Sequence, residues 1–109
     1  PSPLAWRVLD RVADGFLTLS EDESPAAMRR LAQPAAGDPP IVAGESGVAC
    51  LAGLVQLTAD PELRRQTGLD DHAIVLVINT EGATDPELYT TLVGSTPEQV
   101  LSAEGSAPS

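Results

Sequence analysis

The most constraining feature of this chain is the run IVLVI at residues 74–78, which passes directly into the polar stretch NTEGATD at residues 79–85. Consecutive apolar, mostly β-branched residues are typical of a strand that is covered on both faces. A strand of this kind is expected in a sheet with helices on both sides. The polar residues would then follow the carboxyl end of the strand, which is where ligands bind in α/β sheets.

Helical and strand-like segments alternate along the rest of the chain. Apolar periodicity, capping residues and Pro/Gly breaks define their limits. The predicted helices span residues 3–13, 20–33, 48–57, 60–68 and 86–93, and two further short strands are predicted at 16–19 and 41–43. This order predicts an α/β fold, a partial three-layer sandwich with a small, mainly parallel sheet flanked by helices.

Composition divides the chain into two parts. Residues 1–94 contain the predicted helices and strands, whereas residues 95–109 are small and polar and are predicted to be disordered. The segment VACLAGLVQL at 48–57 is apolar around almost its whole circumference, so its helix is expected to be buried on most sides.

The charge of the chain excludes several classes of partner. Its 109 residues carry 16 acidic and 6 basic side chains, a formal net charge of −10, which argues against binding to nucleic acid or to an anionic membrane. No apolar run approaches the length of a membrane span. All six basic residues are arginines, so the chain has no lysine amine that could form a Schiff base.

The single cysteine and the single histidine are poor candidates for a site. Cys50 has no partner for an internal disulfide, and its apolar helical context predicts a buried, reduced thiol of the cytoplasmic type. His72 lies in a polar loop without a second ligand at suitable spacing, so no metal site is predicted. No signal peptide is visible. The chain opens with Pro1 and not with an initiator Met, which suggests a piece cut from a longer protein.

Two loops have the composition of a ligand-binding corner. AGESG at 43–47 follows one predicted strand, and NTEGATD at 79–85 follows another. Gly44 and Gly47 permit a tight turn and close backbone approach, and Ser46 begins the next helix, where N–H groups point outward. Neither a dinucleotide fingerprint nor a Walker loop is present. The residues themselves leave open whether these loops bind a ligand or only form turns.

Three segments together resemble a known family. EGATDPELY at 81–89, IVAGESGVACLAGL at 41–54 and PSPLAWRVLDRVADGFLTLSEDE at 1–23 are similar, in collinear order, to the C-terminal region of diaminopropionate ammonia-lyase. That family belongs to the fold-type II pyridoxal-phosphate enzymes, as do the tryptophan synthase β-subunit and the threonine dehydratases. The resemblance covers about residues 1–94.

The resemblance implies an enzyme of amino-acid catabolism that eliminates ammonia from 2,3-diaminopropionate to give pyruvate and ammonia. In the family, the lysine that holds pyridoxal phosphate and the loop that binds its phosphate lie in the N-terminal portion. Because this chain has no lysine, it is predicted to be inactive by itself. The implied partners are a small amino-acid substrate, the missing N-terminal part and a second copy in a full-length homodimer.

The resemblance also implies which residues contact the cofactor. Thr80 is the first choice, and Asn79 the second, for the polar group that faces the pyridine nitrogen. A neutral donor there avoids fixing a proton on the ring, which suits an elimination. Glu45 and Ser46 are placed beside the ring, with Gly44 and Gly47 shaping the turn. Asp85 is predicted to cap the last helix.

Two alternatives remain open. One is a fragment of another fold-type II enzyme, such as a threonine or serine dehydratase, which would share this wall of the pocket. The other is a non-enzymatic α/β interaction module that is complete in itself.

Overall fold

The computed structural model describes residues 2–106, with side chains described through residue 102. Six helices and no strand are found in this part of the chain. The helices are α1 (Pro3–Val12), α2 (Glu23–Ala32), α3 (Ala49–Ala59), α4 (Pro61–Thr67), α5 (Pro86–Val93) and α6 (Pro97–Ser106).

Capping residues set the limits of several helices. Ser2, Asp60 and Asp85 each accept a backbone N–H in the first turn of α1, α4 and α5, and a proline follows each cap. Gly68 and Gly94 end α4 and α5 in the left-handed conformation, with φ of 75° and 91°. These helices therefore begin and end close to where the sequence predicts.

The predicted sheet is wrong for the described residues. The segments 16–19, 41–43 and 74–78 are extended or irregular, and no backbone hydrogen bond between described residues involves residues 74–78. A strand needs a neighbouring strand to pair its N–H and C=O groups, and none lies beside this segment. Ile74 and Leu76 are accordingly 100% and 85% exposed. The α/β sandwich is thus replaced by a helical arrangement.

The prediction that the helix at 48–57 is buried on most sides is also wrong here. In α3 only Ala52 is buried, most of its other apolar residues are half-buried, and Cys50 is exposed. Helix α3 packs on α2 and α4, and two neighbours cover only part of an all-round apolar helix.

The core lies where α2 packs against α3 and α5. Its largest fully buried side chains are those of Met28, Val48 and Tyr89. The sequence predicts disorder from residue 95, whereas residues 97–106 form α6, which packs on α5 and buries Val100. Residues 107–109 lie outside the described part of the chain.

Helix α1 lies apart from the core. Its apolar residues are exposed, and Trp6 contacts Phe16 with ring centroids 5.8 Å apart. Within residues 2–106, none of the helices is long and apolar enough to cross a membrane.

Candidate functional site

The two loops singled out in the sequence meet in the structure. The Gly44 N–H donates a hydrogen bond to the Glu81 carbonyl oxygen at 2.9 Å. The corner is therefore formed by direct contact between the loops, without a sheet to position them.

Two glycines allow this contact. A Cβ added at Gly44 would lie 2.5 Å from the Gly82 carbonyl oxygen, and one at Gly47 would overlap Asn79 Oδ1 and the Glu81 carbonyl oxygen. Both glycines are buried. Close backbone approach, as predicted from the sequence, is the reason that glycine stands at both positions.

Asn79 and Thr80 differ in what their side chains do. The Asn79 Nδ2 donates to the Val42 carbonyl oxygen and its Oδ1 accepts the Glu81 N–H, both at 3.4 Å. Its amide therefore ties the loop at 79–85 to Val42, the residue that precedes the loop at 43–47. Thr80 is exposed, and its hydroxyl makes no hydrogen bond with the described residues. The Asn79 amide is thus engaged through both its nitrogen and its oxygen, with one N–H of Nδ2 left over, whereas the Thr80 hydroxyl is wholly unused by the described residues.

A small cavity lies between the loops and α5. Its volume is about 110 Å³, below the roughly 300–1,000 Å³ of typical ligand pockets. The lining residues are Met28, Gly44, Glu45, Ser46, Glu81, Gly82, Ala83, Thr84, Asp85, Leu88, Tyr89 and Leu92. Of the six predicted cofactor-binding residues, Gly44, Glu45 and Ser46 line it. Gly47 and Asn79 lie at the loop junction, and Thr80 is outside the lining.

The cavity wall is acidic. Glu45, Glu81 and Asp85 line it, and no basic side chain does. Glu81 is half-buried and its Oε1 accepts the Thr84 hydroxyl at 3.3 Å, whereas Asp85 Oδ1 accepts the Leu88 N–H at 3.1 Å. Within the described residues no three His, Cys, Asp or Glu side chains are arranged to hold a metal ion.

Tyr89 is the residue of this site that sequence reasoning missed. It is 2% exposed, and its hydroxyl is buried without a hydrogen-bond partner among the described residues. Burial raises the pKa of the phenol above its ordinary value, so it stays neutral at physiological pH. Its position four residues after the Asp85 cap was visible in the sequence, but its burial depends on the packing of α5 on α2.

Known proteins match this chain over most of its length. A diaminopropionate ammonia-lyase of Escherichia coli K12 is 36% identical in an alignment of 96 residues that covers 85% of this chain and 24% of the relative. The diaminopropionate ammonia-lyase of Salmonella typhimurium LT2 is 31% identical in an alignment of 97 residues that also covers 85% of this chain and 24% of the relative. The resemblance to the diaminopropionate ammonia-lyase family is confirmed.

Solved structures of Escherichia coli diaminopropionate ammonia-lyase match the fold. The apo form has a TM-score of 0.78 at 36% identity and covers 85% of this chain and 26% of its own. The complex with an aminoacrylate-PLP azomethine reaction intermediate has a TM-score of 0.76 and covers 85% and 25%. No protein-family profile matches the chain. The chain spans about a quarter of the length of the diaminopropionate ammonia-lyases that it matches.

Proposed function

We propose that this chain is the C-terminal part of a pyridoxal-phosphate-dependent lyase that eliminates ammonia from 2,3-diaminopropionate to give pyruvate and ammonia. The observation that carries the proposal is 36% identity across 85% of the chain to an enzyme solved with a PLP reaction intermediate. The contact between the loops at 43–47 and 79–85 supports it, because both motifs of the resemblance meet at one corner.

The exposed surface of the chain favours part of an enzyme over a complete interaction module. Its accessible area is 8107 Å², whereas a compact monomer of 11.3 kDa is expected to expose roughly 5,700 Å². Large apolar side chains contribute to this excess, among them Leu4, Phe16, Ile74 and Leu76. An apolar surface of this kind marks contact with further protein.

The described residues fit one wall of a cofactor site. The chain has no lysine, and the cavity beside the corner is smaller than a typical ligand pocket. When bound, pyridoxal phosphate supplies the electron sink for the elimination. Thr80 is our choice for the donor to the pyridine nitrogen, because the Asn79 amide already bonds Val42 and Glu81, whereas the Thr80 hydroxyl bonds none of the described residues. Glu45 and Ser46, both exposed at the corner, would lie beside the ring, and Gly44 and Gly47 would shape the turn.

The activity is tested on the full-length protein that contains this chain. With pyridoxal phosphate added, we expect pyruvate and ammonia from 2,3-diaminopropionate and little 2-oxobutyrate from threonine. Faster formation of 2-oxobutyrate from threonine would identify the enzyme as a dehydratase instead.

We further propose that the full-length enzyme is a cytoplasmic homodimer. Light scattering of the purified protein measures its mass and so tests whether it is a dimer.

The role of Thr80 is tested by the affinity for the cofactor. In the full-length protein, Thr80→Val should weaken pyridoxal-phosphate binding by about tenfold, since a hydrogen bond to a buried polar group is lost, and Thr80→Ser should restore it. Thr91→Val, a change of the same kind on the exposed side of α5, is the control. Normal binding by Thr80→Val together with weak binding by Asn79→Ala would assign the contact to Asn79.

A further inference from the structure

Thr80 is held in place on both sides, while its own side chain stays free. On one side, the Asn79 Nδ2 donates to the Val42 carbonyl oxygen at 3.4 Å. On the other side, the Glu81 carbonyl oxygen accepts the Gly44 N–H at 2.9 Å. Thr80 itself is exposed, and its hydroxyl bonds none of the described residues. The corner therefore fixes the backbone around Thr80 and leaves the hydroxyl available to a ligand.

The Asn79 amide closes a turn around Thr80. Its Oδ1 accepts the Glu81 N–H at 3.4 Å, two residues further along the chain, as asparagine side chains do in turns. The same oxygen lies against Gly47, where an added Cβ would overlap it. Both hydrogen bonds of the amide are longer than the usual range of roughly 2.7–3.2 Å, so each is weak alone. The two bonds and the packing contact together determine where the turn at 79–81 lies against the loop at 43–47.

A hydroxyl that donates to a fixed acceptor depends on such support. The usual donor–acceptor distances span only a few tenths of an ångström, and at about 3.6 Å the hydrogen bond is lost. Functional groups must accordingly be held within about 0.5 Å of their productive geometry by neighbours whose own positions are fixed. The Thr80 side chain has no hydrogen bond of its own within the described chain, whereas the adjoining Asn79 side chain bonds across to Val42.

We propose that Asn79 is a positioning residue: its amide holds the turn at 79–81 against the loop at 43–47 and so sets the place of the Thr80 hydroxyl. The inference rests on the proposed function, because it takes Thr80 as the donor to the pyridine nitrogen. Asn79 acts on the cofactor only through Thr80. Removal of the amide should therefore disturb the same contact that removal of the Thr80 hydroxyl abolishes.

The test follows the pyridine nitrogen itself. The full-length protein is loaded with pyridoxal phosphate that carries ¹⁵N in the ring, and the nitrogen resonance reports the hydrogen bond that it accepts. Thr80→Val should shift this resonance, because the donor is lost, and Asn79→Ala should shift it in the same direction. An unchanged resonance in Asn79→Ala beside a shifted one in Thr80→Val would overturn the positioning role.

The affinity for the cofactor supplies a second readout. Asn79→Ala should weaken pyridoxal-phosphate binding by no more than the roughly tenfold expected for Thr80→Val. The double variant should bind about as weakly as Thr80→Val alone, because two residues that act on one contact do not have additive effects. Losses that multiply in the double variant would show that Asn79 acts by another route and would contradict the proposal.

Asp70→Ala is the matched control. The Asp70 Oδ1 accepts the His72 N–H at 2.9 Å, also two residues further along the chain, but Asp70 lies in neither loop of the corner. This variant should keep the resonance and the affinity of the parent protein. A change equal to that of Asn79→Ala would show that the loss of any such turn disturbs the cofactor and would contradict the proposal.

A second substitution covers the case in which Asn79→Ala does not fold by circular dichroism. In Asn79→Ser the hydroxyl can still accept the Glu81 N–H, but the side chain is one bond shorter than the amide that reaches Val42. The nitrogen resonance should then shift in the same direction as in Thr80→Val, but by less. No shift in Asn79→Ser would overturn the positioning role.

The two proposals fail in different ways. Pyruvate formation from 2,3-diaminopropionate, with a resonance that only Thr80→Val shifts, would overturn the positioning role and leave the function intact. Coupled shifts of Asn79→Ala and Thr80→Val in a protein that makes no pyruvate would contradict the proposed function and support the positioning role. No effect of Thr80→Val together with weak binding by Asn79→Ala would assign the contact to Asn79 itself and would also overturn the positioning role.

Discussion

At the scale of single residues, the corner where the two loops meet requires a glycine at position 47 as well as the side chain of Asn79. Gly47 has no φ in the left-handed region, so its role is steric: any Cβ there would overlap Asn79 and Glu81. Asn79 in turn bonds Val42 across the junction. The glycine and the amide together hold the two loops in contact.

Gly47→Ala should therefore destabilise the chain. We expect a loss of about 1–3 kcal/mol in the free energy of unfolding, because the added methyl group must displace backbone atoms. Gly53→Ala is the control, since its Cβ would meet only Leu17 Cδ1 at 3.7 Å. Within a helix that change should stabilise by about 0.5–1 kcal/mol. Urea denaturation measures both, and an equal effect of the two substitutions would refute the steric role.

At the scale of elements, α5 connects the loop to the core. Asp85 caps its first turn, Gly94 ends it, and Arg29 of α2 donates to the Leu92 carbonyl oxygen at 2.9 Å. The helix thereby holds Tyr89 against the core and beside the cavity. Because its limits come from capping residues and its position from α2, the sequence predicts where α5 lies along the chain but not what it covers.

Removal of the cap should loosen α5. Asp85→Ala is expected to cost about 0.5–2 kcal/mol of stability, whereas Asp85→Asn, which keeps an acceptor for the Leu88 N–H, should cost little. Asp60→Ala removes the corresponding cap of α4, and Asp60 does not line the cavity. Thermal unfolding should show a similar loss for both alanine variants. In the 109-residue chain labelled with 3-fluorotyrosine, whose one tyrosine is Tyr89, only Asp85→Ala should shift the fluorine resonance. A Tyr89 shift in Asp60→Ala would contradict this division.

At the scale of the whole molecule, the described chain covers its apolar residues unevenly. Met28 is 2% exposed and packs in the core between helices, whereas Leu76 is 85% exposed in an extended segment. The radius of gyration is 15.7 Å, larger than the roughly 13 Å expected for a compact domain of this length. Residues 74–78 therefore add little to the stability of this chain taken alone.

Two alanine substitutions in the 109-residue chain should show the difference between the buried Met28 and the exposed Leu76. Met28→Ala is expected to cost about 2–5 kcal/mol, since it leaves a cavity in the core. Leu76→Ala should change the free energy of unfolding by less than about 0.5 kcal/mol and should reduce binding of a hydrophobic dye. Denaturant titration measures the free energy of unfolding. A large loss of stability in Leu76→Ala would show that the segment 74–78 is covered in solution.

The lack of lysine predicts a further property of the 109-residue chain. With pyridoxal phosphate added, it should show no absorbance band of a lysine-bound cofactor and no release of pyruvate from 2,3-diaminopropionate, because it has no side-chain amine to form the bond. The full-length protein under the same conditions is the positive control. A stable absorbance band of this kind in the 109-residue chain would contradict the proposal that the lysine that holds the cofactor lies outside this chain.

The sequence by itself determined the local features of this protein. Helix limits follow from Asp-Pro caps and terminal glycines, which act through hydrogen bonds a few residues apart, and the family follows from motifs in collinear order. Tertiary structure alone decided that the loops at 43–47 and 79–85 touch and that the segment 74–78 is exposed. It also decided that the Tyr89 hydroxyl is buried with no hydrogen-bond partner in the part of the chain that the structure describes. Apolar β-branched residues predict a strand, but a strand exists only where another backbone pairs with it. Whether another backbone pairs with residues 74–78 depends on residues distant in the chain, so the segment by itself does not determine it.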